Sequence, residues 1–155
     1  MGPALKTILL VEDDSGDARL LRRAFDKVGM NRTLVEVRNG DDAVSYLSGD
    51  GEYSDRQRHP PPEMILLDLK LPRRNGFEVL QWMRSGESQY RRTPVVVLSS
   101  SSESQDINRA YDLGANSYIS KPHNTATMLE LAETLKKYWL EIIRDPDLPG
   151  EGSAI

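Results

Sequence analysis

The chain contains no cysteine and only two histidines, and these scarcities exclude several classes of protein. Without cysteine, neither a disulfide framework nor a thiolate metal site can form. No apolar run approaches the roughly 18 residues of a membrane-spanning helix, and the N-terminus lacks the layout of a signal peptide. The net charge of −4 argues against a general affinity for nucleic acid or anionic membranes. We therefore expect a cytoplasmic protein that binds neither.

The most informative segment is an apolar run, Met64–Leu67, which is enclosed by prolines at positions 60–62 and 72. Four large apolar residues in succession predict a strand buried on both faces, as is typical of parallel sheets covered by helices. The run ends in Asp68. Because the carboxyl ends of parallel strands form the ligand crevice of such sheets, we expect Asp68 to carry the chemistry.

Apolar runs alternate with helical patterns along the chain. The predicted strands cover residues 7–11, 33–37, 64–67, 94–98 and 117–120. The predicted helices cover residues 16–28 with Ser15 as cap, a short stretch from 40 to about 47, a segment spanning 77–83, and residues 103–113 and 125–144. This alternation predicts an α/β fold with a doubly wound parallel sheet in one domain.

Two segments fall outside this pattern. Residues 48–62 are rich in Gly, Pro, Asp and Arg and predict a long surface loop that could touch a partner. Residues 145–155 contain two prolines and two glycines and predict a disordered tail after a domain at 5–144.

Polar residues follow four of the predicted strands. Glu12, Asp13 and Asp14 follow the first strand, Asp68 the third, Ser99 the fourth and Lys121 the fifth. If the first and third strands are neighbours, the carboxylates converge and need either raised pKa values or a bound cation. A set of oxygen ligands without cysteine favours Mg²⁺. A carboxylate nucleophile, a divalent cation, a lysine and a hydroxyl are together what phosphoryl transfer to an aspartate requires.

Four motifs occur in an order that resembles the response-regulator receiver family. They lie at residues 10–14, at 67–72 with Gly76, at 97–100 and at 118–122, and the resemblance covers residues 5–143. It implies a flavodoxin-like (CheY-like) three-layer sandwich whose five parallel strands have the order 2-1-3-4-5. It also implies a single-domain response regulator of a two-component phosphorelay, which catalyses only its own phosphorylation and dephosphorylation.

The resemblance assigns roles to individual residues. It implies that Asp68 is the phosphoacceptor and that Glu12, Asp13, Asp68 and the backbone carbonyl of Lys70 bind Mg²⁺.

A second group of roles concerns signalling. The resemblance implies that Lys121 contacts the phosphoryl group, that Ser99 is the switch hydroxyl, and that Tyr118 is the switch aromatic residue. The bond between Lys121 and Pro122 is often cis in this family, which is rare for X-Pro bonds in general.

A narrower resemblance concerns the loop at 48–62 and the sequence Tyr-Trp-Leu-Glu at 138–141. Both resemble stand-alone receivers that are paired with phytochrome-type photoreceptor kinases, so the expected partner is a sensor histidine kinase, specifically a bacteriophytochrome. Residues 138–143 also carry more apolar side chains than one helix can turn toward its own core. We therefore expect a homodimer through the face formed by the fourth helix, fifth strand and fifth helix.

Other functions remain open from the sequence. The protein could be a phosphorelay intermediate that passes its phosphoryl group to a histidine phosphotransfer protein, or a receiver-fold adaptor, although no pocket residue is missing. A flavodoxin-like electron carrier would need a first loop that cradles a phosphate, and the acidic residues 12–14 would repel one. A phosphohydrolase of the haloacid dehalogenase type would need a second aspartate where Lys70 stands.

Overall fold

Five parallel strands form a single sheet in the computed structural model, which describes residues 5–86, 88–142, 146, 148 and 149. The strands are β1 (Thr7–Val11), β2 (Thr33–Val37), β3 (Met64–Leu67), β4 (Val95–Ser99) and β5 (Ser117–Ser120). Their order is β2-β1-β3-β4-β5, and every neighbouring pair is parallel. The predicted doubly wound sheet and its strand order are confirmed.

Helices cover both faces of this sheet. They are α1 (Ser15–Lys27), α2 (Gly40–Ser48), α3 (Gly76–Arg84), α4 (Ser104–Asp112) and α5 (Thr125–Thr134). Met64 and Leu66 of β3 pack in the core with α1 and α5, whereas Ile65 and Leu67 pack in the opposite core with α2 and α3. Burial on both sides explains the continuous apolar run, and it confirms the three-layer sandwich. In the described part of the chain, no helix has the length and apolarity needed to cross a membrane.

The predicted first residue of α1 needs a small correction. The N-cap is Asp14, whose carboxylate accepts the backbone N–H of Asp17 at 3.0 Å, and Ser15 is already helical. Both residues are good caps by composition, so only the backbone conformation distinguishes them.

The helix predicted at 125–144 differs from the observed one in its second half. Its α-helical part ends at Thr134, and residues Leu135–Ile142 form a wider π-helix. Leu135 is buried, Trp139 packs partly against the same core, and Lys136 donates a hydrogen bond to the carbonyl of Val28 at 3.0 Å. Apolar spacing alone does not reveal the extra residue per turn. Residues 143–145 and most of the predicted tail lie outside the described residues.

The loop at 48–62 is folded against α2. A short 3₁₀ turn forms at Gly51–Tyr53, and the rings of Tyr53 and His59 pack edge-on against Tyr46. The Tyr46 hydroxyl donates to the carbonyl of Pro60 at 2.9 Å, and Arg56 donates to the carbonyl of Tyr46 at 2.7 Å. These contacts fix the loop on the side of the sheet that carries α2 and α3.

Candidate functional site

The register between β1 and β3 determines which acidic residues meet. Val11 lies opposite Leu67, so the residues that follow them, Glu12 and Asp68, leave neighbouring strands at the same edge. One carboxylate oxygen from each of Glu12, Asp13 and Asp68 lies within 4.8 Å of the others. The structure thus brings together three of the acidic residues that the sequence predicts at this edge.

Asp68 is buried, with only 6% of its surface exposed, and both of its carboxylate oxygens accept hydrogen bonds. Oδ1 accepts the backbone N–H of Leu69 at 2.7 Å, and Oδ2 accepts from the ammonium of Lys121 at 3.1 Å. The chain turns tightly beyond this point, because a Cβ on Gly76 would lie 2.2 Å from the carbonyl oxygen of Asp68. Glycine at position 76 is therefore needed for α3 to begin this close to the site.

Lys121 lies between three carboxylates and is itself buried. Its Nζ is 2.7 Å from Glu12 Oε1, 3.1 Å from Asp17 Oδ2 and 3.1 Å from Asp68 Oδ2. An ammonium has three N–H donors, so each carboxylate can accept one of them. Burial alone would lower the pKa of Lys121, but the hydrogen bond to Glu12 and the charge of Asp68 raise it above its usual value.

Asp17 is the site residue that sequence reasoning missed. It lies in the first turn of α1, where an acidic residue is ordinarily explained by the helix dipole. A possible signal was its position one turn beyond the acidic residues 12–14, which places it over the same strand edge.

Glu12 and Asp14 have different environments despite their proximity. Burial raises the pKa of Glu12 to about 7, against the opposing effect of its hydrogen bond with Lys121. Asp14 is exposed, and the hydrogen bond from the Asp17 N–H lowers its pKa. Glu12 therefore belongs to the pocket, whereas Asp14 serves as a helix cap.

Ser99 and Tyr118 are linked through the loop between β4 and α4. The fully buried Ser99 hydroxyl accepts the backbone N–H of Ser101 at 3.2 Å, and the Tyr118 hydroxyl donates to the carbonyl of Ser101 at 2.8 Å. The Ser101 hydroxyl in turn donates to Asp106 of α4 at 2.6 Å. Neither Ser101 nor Asp106 was singled out from the sequence, because both depend on the loop conformation. No peptide bond between described residues is cis, so the bond before Pro122 is trans.

The family model described as "Response regulator receiver domain" matches residues 8–133. The chain belongs to the response regulator receiver family. This receiver is 35% identical over 141 residues to the response regulator Rcp1 of Synechocystis, with 91% of this chain and 93% of that protein covered. It is 39% identical over 142 residues to the probable methanogenesis regulatory protein FilR2 of Methanothrix harundinacea, with 90% of this chain and 86% of that protein covered.

Solved structures of relatives have the same fold. The phosphorylated cyanobacterial phytochrome response regulator RcpA superposes with a TM-score of 0.84 and is 38% identical, with 93% of this chain and all of that chain covered. The Mn²⁺-bound form of Rcp1 superposes with a TM-score of 0.80 and is 34% identical, with 92% of this chain and 99% of that chain covered. Family membership argues against a flavodoxin-like carrier and a haloacid dehalogenase-type enzyme, whereas the fold alone does not exclude a flavodoxin-like carrier.

The acidic pocket of this receiver suits a hard divalent cation. Glu12, Asp13 and Asp68 offer carboxylate oxygens only, and Asp13 is exposed to solvent that can supply the remaining ligands. Lys70 follows on the same turn, with its side chain exposed and its N–H 3.4 Å from Asp68 Oδ1. The part that its backbone carbonyl takes in metal binding stays a prediction.

Proposed function

We propose that this receiver accepts a phosphoryl group on Asp68 from the phosphohistidine of a sensor histidine kinase, in the presence of Mg²⁺. The observation that carries the proposal is the buried Asp68 carboxylate, which lies between the ammonium of Lys121 and the carboxylates of Glu12 and Asp13. Since phosphohistidine is made from ATP, the proposal places the protein in the cytoplasm. Beyond its own phosphorylation and dephosphorylation, it has no enzymatic role.

The transfer is a direct displacement at phosphorus. A carboxylate oxygen of Asp68 forms a bond to phosphorus as the phosphorus–nitrogen bond breaks, and the electron pair of that bond stays on the imidazole. Lys121 turns one N–H from Asp68 to an oxygen of the arriving group. Because Asp68 and Lys121 are both buried, the arriving oxygens meet an ammonium whose position the fold has already set.

The pocket residues fit the proposed magnesium ion. Glu12, Asp13, Asp68 and the carbonyl of Lys70 would hold it, and the ion when bound neutralises charge that develops on the phosphoryl oxygens. The ammonium of Lys121 and a divalent cation balance the charges of three carboxylates. The fourth carboxylate, Asp17, leaves the pocket one negative charge in excess.

Phosphorylation changes the pocket by adding charge and acceptors. The phosphoryl group carries about −1.5 to −2 charges and three acceptor oxygens, so it recruits nearby donors such as the Ser99 hydroxyl. An inward movement of Ser99 alters its contact with Ser101, which also binds Tyr118 and Asp106. The change therefore reaches the face formed by α4, β5 and α5, which we propose as the output surface.

The proposed kinase is of the phytochrome type. Support comes from the relative RcpA, which is named as a cyanobacterial phytochrome response regulator and covers nearly the whole of this chain. FilR2 is similarly close in identity and is named for another process, so the pairing needs a direct test.

The test is phosphotransfer from candidate kinases. A bacteriophytochrome kinase that has labelled itself with radioactive ATP should pass the label to this receiver within seconds to minutes, and faster than it labels an unrelated receiver. Chelation by EDTA should stop the transfer. Rapid transfer from a non-phytochrome kinase, with none from a bacteriophytochrome, would contradict the pairing while leaving the phosphorylation itself intact.

We also propose that the receiver forms a homodimer through the face formed by α4, β5 and α5, together with the π-helix that continues α5. Tyr111 on α4 and Tyr138 in the π-helix are 47% and 52% exposed, which is unusual for large aromatic side chains. Trp139 contributes less than the sequence indicated, because it packs partly against the protein's own core.

A further inference from the structure

Asp17 occupies a special place among the carboxylates that surround Lys121. Its Oδ2 lies 3.1 Å from the Lys121 ammonium, and it reaches that ammonium from α1, an element outside the motifs of the acidic pocket. We propose that Asp17 is a positioning residue that holds the Lys121 ammonium in place during phosphoryl transfer to Asp68. This inference rests on the proposed function and adds a residue to it.

The donors of Lys121 are all directed at carboxylates. Its three N–H groups face Glu12, Asp17 and Asp68, at 2.7, 3.1 and 3.1 Å. Lysine has a flexible stem of four carbons, so the position of its charge depends on what its ammonium binds. All three carboxylates contribute to that position before the reaction begins.

Two of the three carboxylates take on another role once the cation and the phosphoryl group are in the pocket. Asp68 receives the phosphoryl group and gives up its bond to Lys121. Glu12 belongs to the group of three carboxylates that can hold a cation, and a bound cation competes with Lys121 for its oxygens. Asp17 is not a member of that group. Of the three acceptors found in the described chain, it alone is free to keep its bond to Lys121 throughout the transfer.

The local structure around Asp17 suits an anchor. Asp17 lies in the first turn of α1, and its backbone N–H is held by the carboxylate of Asp14 at 3.0 Å. The next residue, Ala18, is buried in the core that α1 shares with α5. The Asp17 side chain therefore projects from a rigid base, so it can fix the ammonium on one side while another N–H turns to the phosphoryl group. The covalent chemistry stays at Asp68, and Asp17 forms and breaks no covalent bond.

The first measurement is the rate of phosphorylation by acetyl phosphate at saturating Mg²⁺. Asp17→Ala should slow the reaction about tenfold, because an ammonium that is no longer held in place is less often oriented toward the phosphoryl group. Asp17→Asn keeps an oxygen that accepts from Lys121 and should recover most of the rate. Asp14→Asn is the matched control, since it removes the same charge one turn away, keeps the helix cap and does not contact Lys121. Its rate should stay within about twofold of wild type.

A double-mutant cycle with Lys121→Ala identifies the route of the effect. If Asp17 acts through Lys121, Asp17→Ala should have no further effect on the slow residual rate of Lys121→Ala. Binding of Mn²⁺, followed by the electron paramagnetic resonance of the free ion, should weaken by no more than about twofold in Asp17→Ala, because Asp17 contributes a nearby charge but is not one of the three grouped carboxylates.

Three results would overturn the inference. These are a wild-type rate in Asp17→Ala, an equal loss in the Lys121→Ala background, or a loss of Mn²⁺ affinity that accounts for the slower reaction. A failure of the proposed function looks different, because wild type and Asp68→Asn would then be labelled alike.

Discussion

Lys121 is the residue on which the charge of the pocket depends. Its ammonium is buried with Glu12 and Asp68 and also contacts Asp17. An ion pair of this kind contributes little relative to an apolar core, but the removal of one partner leaves the others buried and uncompensated.

Lys121→Met should therefore lower the free energy of unfolding by about 3 kcal/mol in EDTA. Urea denaturation measures the change, and Lys70→Met is the matched control because Lys70 is exposed on the same rim. The control should change stability by less than about 0.5 kcal/mol. Equal stabilities of the two variants would show that the Lys121 ammonium does not compensate these carboxylates.

Tyr46 makes the stability of the fold depend on pH in the alkaline range. Its ring is fully buried beneath the loop at 48–62, and burial raises the pKa of its hydroxyl to about 12. The unfolded chain loses this proton near pH 10, whereas the folded protein retains it. The contribution of Tyr46 to stability is therefore complete below pH 10 and is lost as the pH rises toward 12.

In urea denaturation between pH 10 and 12, the unfolding free energy of wild type should fall more steeply than that of Tyr46→Phe, by up to about 1.4 kcal/mol per pH unit. Below pH 9 the difference between the two proteins should be constant and should reflect only the lost hydrogen bond to Pro60. Parallel curves through the alkaline range would mean that the hydroxyl titrates alike in both states.

At the scale of elements, the loop between β4 and α4 connects the acidic pocket to the face that we propose as the output surface. It holds Ser101, which bonds to Ser99, Tyr118 and Asp106 at once. A movement of Ser99 would therefore be passed through Ser101 to Tyr118 of β5 and Asp106 of α4.

Ser99→Ala should still accept the phosphoryl group, but phosphorylation should change the loop and α4 much less than in wild type. Hydrogen exchange of the loop and α4, measured with and without acetyl phosphate, should change in wild type and change much less in the variant. Ser100→Ala provides the control. The Ser100 side chain is exposed, so this variant should behave as wild type. If hydrogen exchange in Ser99→Ala changed as much as in wild type, the Ser99 hydroxyl would not be needed for the switch.

Helices and strands differ in how well the sequence predicts them. The strands were predictable because a doubly wound sheet buries both faces, which leaves continuous apolar runs such as Met64–Leu67. The convergence of Glu12 with Asp68 followed from the same topology. The π-helical end of α5 was not predictable, since Leu135 and Trp139 have the spacing of an ordinary helix.

Contacts between side chains of distant elements could not be predicted from the sequence either. The guanidinium of Arg84 donates to the carbonyls of Gly114, Tyr90 and Thr93 at 2.8 to 3.0 Å, and so joins α3 to the segments before β4 and β5. Asp17 was missed for the same reason. An acidic residue in the first turn of a helix has a sufficient local explanation, so only the fold shows that it reaches Lys121.

At the scale of the whole molecule, the exposed aromatic residues argue for self-association. Tyr138→Glu, at the most exposed of these positions, should shift the sedimentation of the protein toward the monomer at tens of micromolar. Trp139→Glu is a poorer variant because Trp139 packs partly in the core and its loss would disturb folding. If wild type sediments as a monomer with and without acetyl phosphate, the dimer proposal is wrong.

Mass spectrometry can show whether Asp68 carries the phosphoryl group. After treatment with acetyl phosphate and Mg²⁺, the intact protein should gain the mass of one phosphoryl group, and fragmentation should place it on Asp68. The gain should be absent in EDTA and in Asp68→Asn, a substitution that keeps an oxygen to accept the N–H of Leu69. Phosphorylation that persists in Asp68→Asn, or that maps to another residue such as Asp13, would show that Asp68 is not the phosphoacceptor.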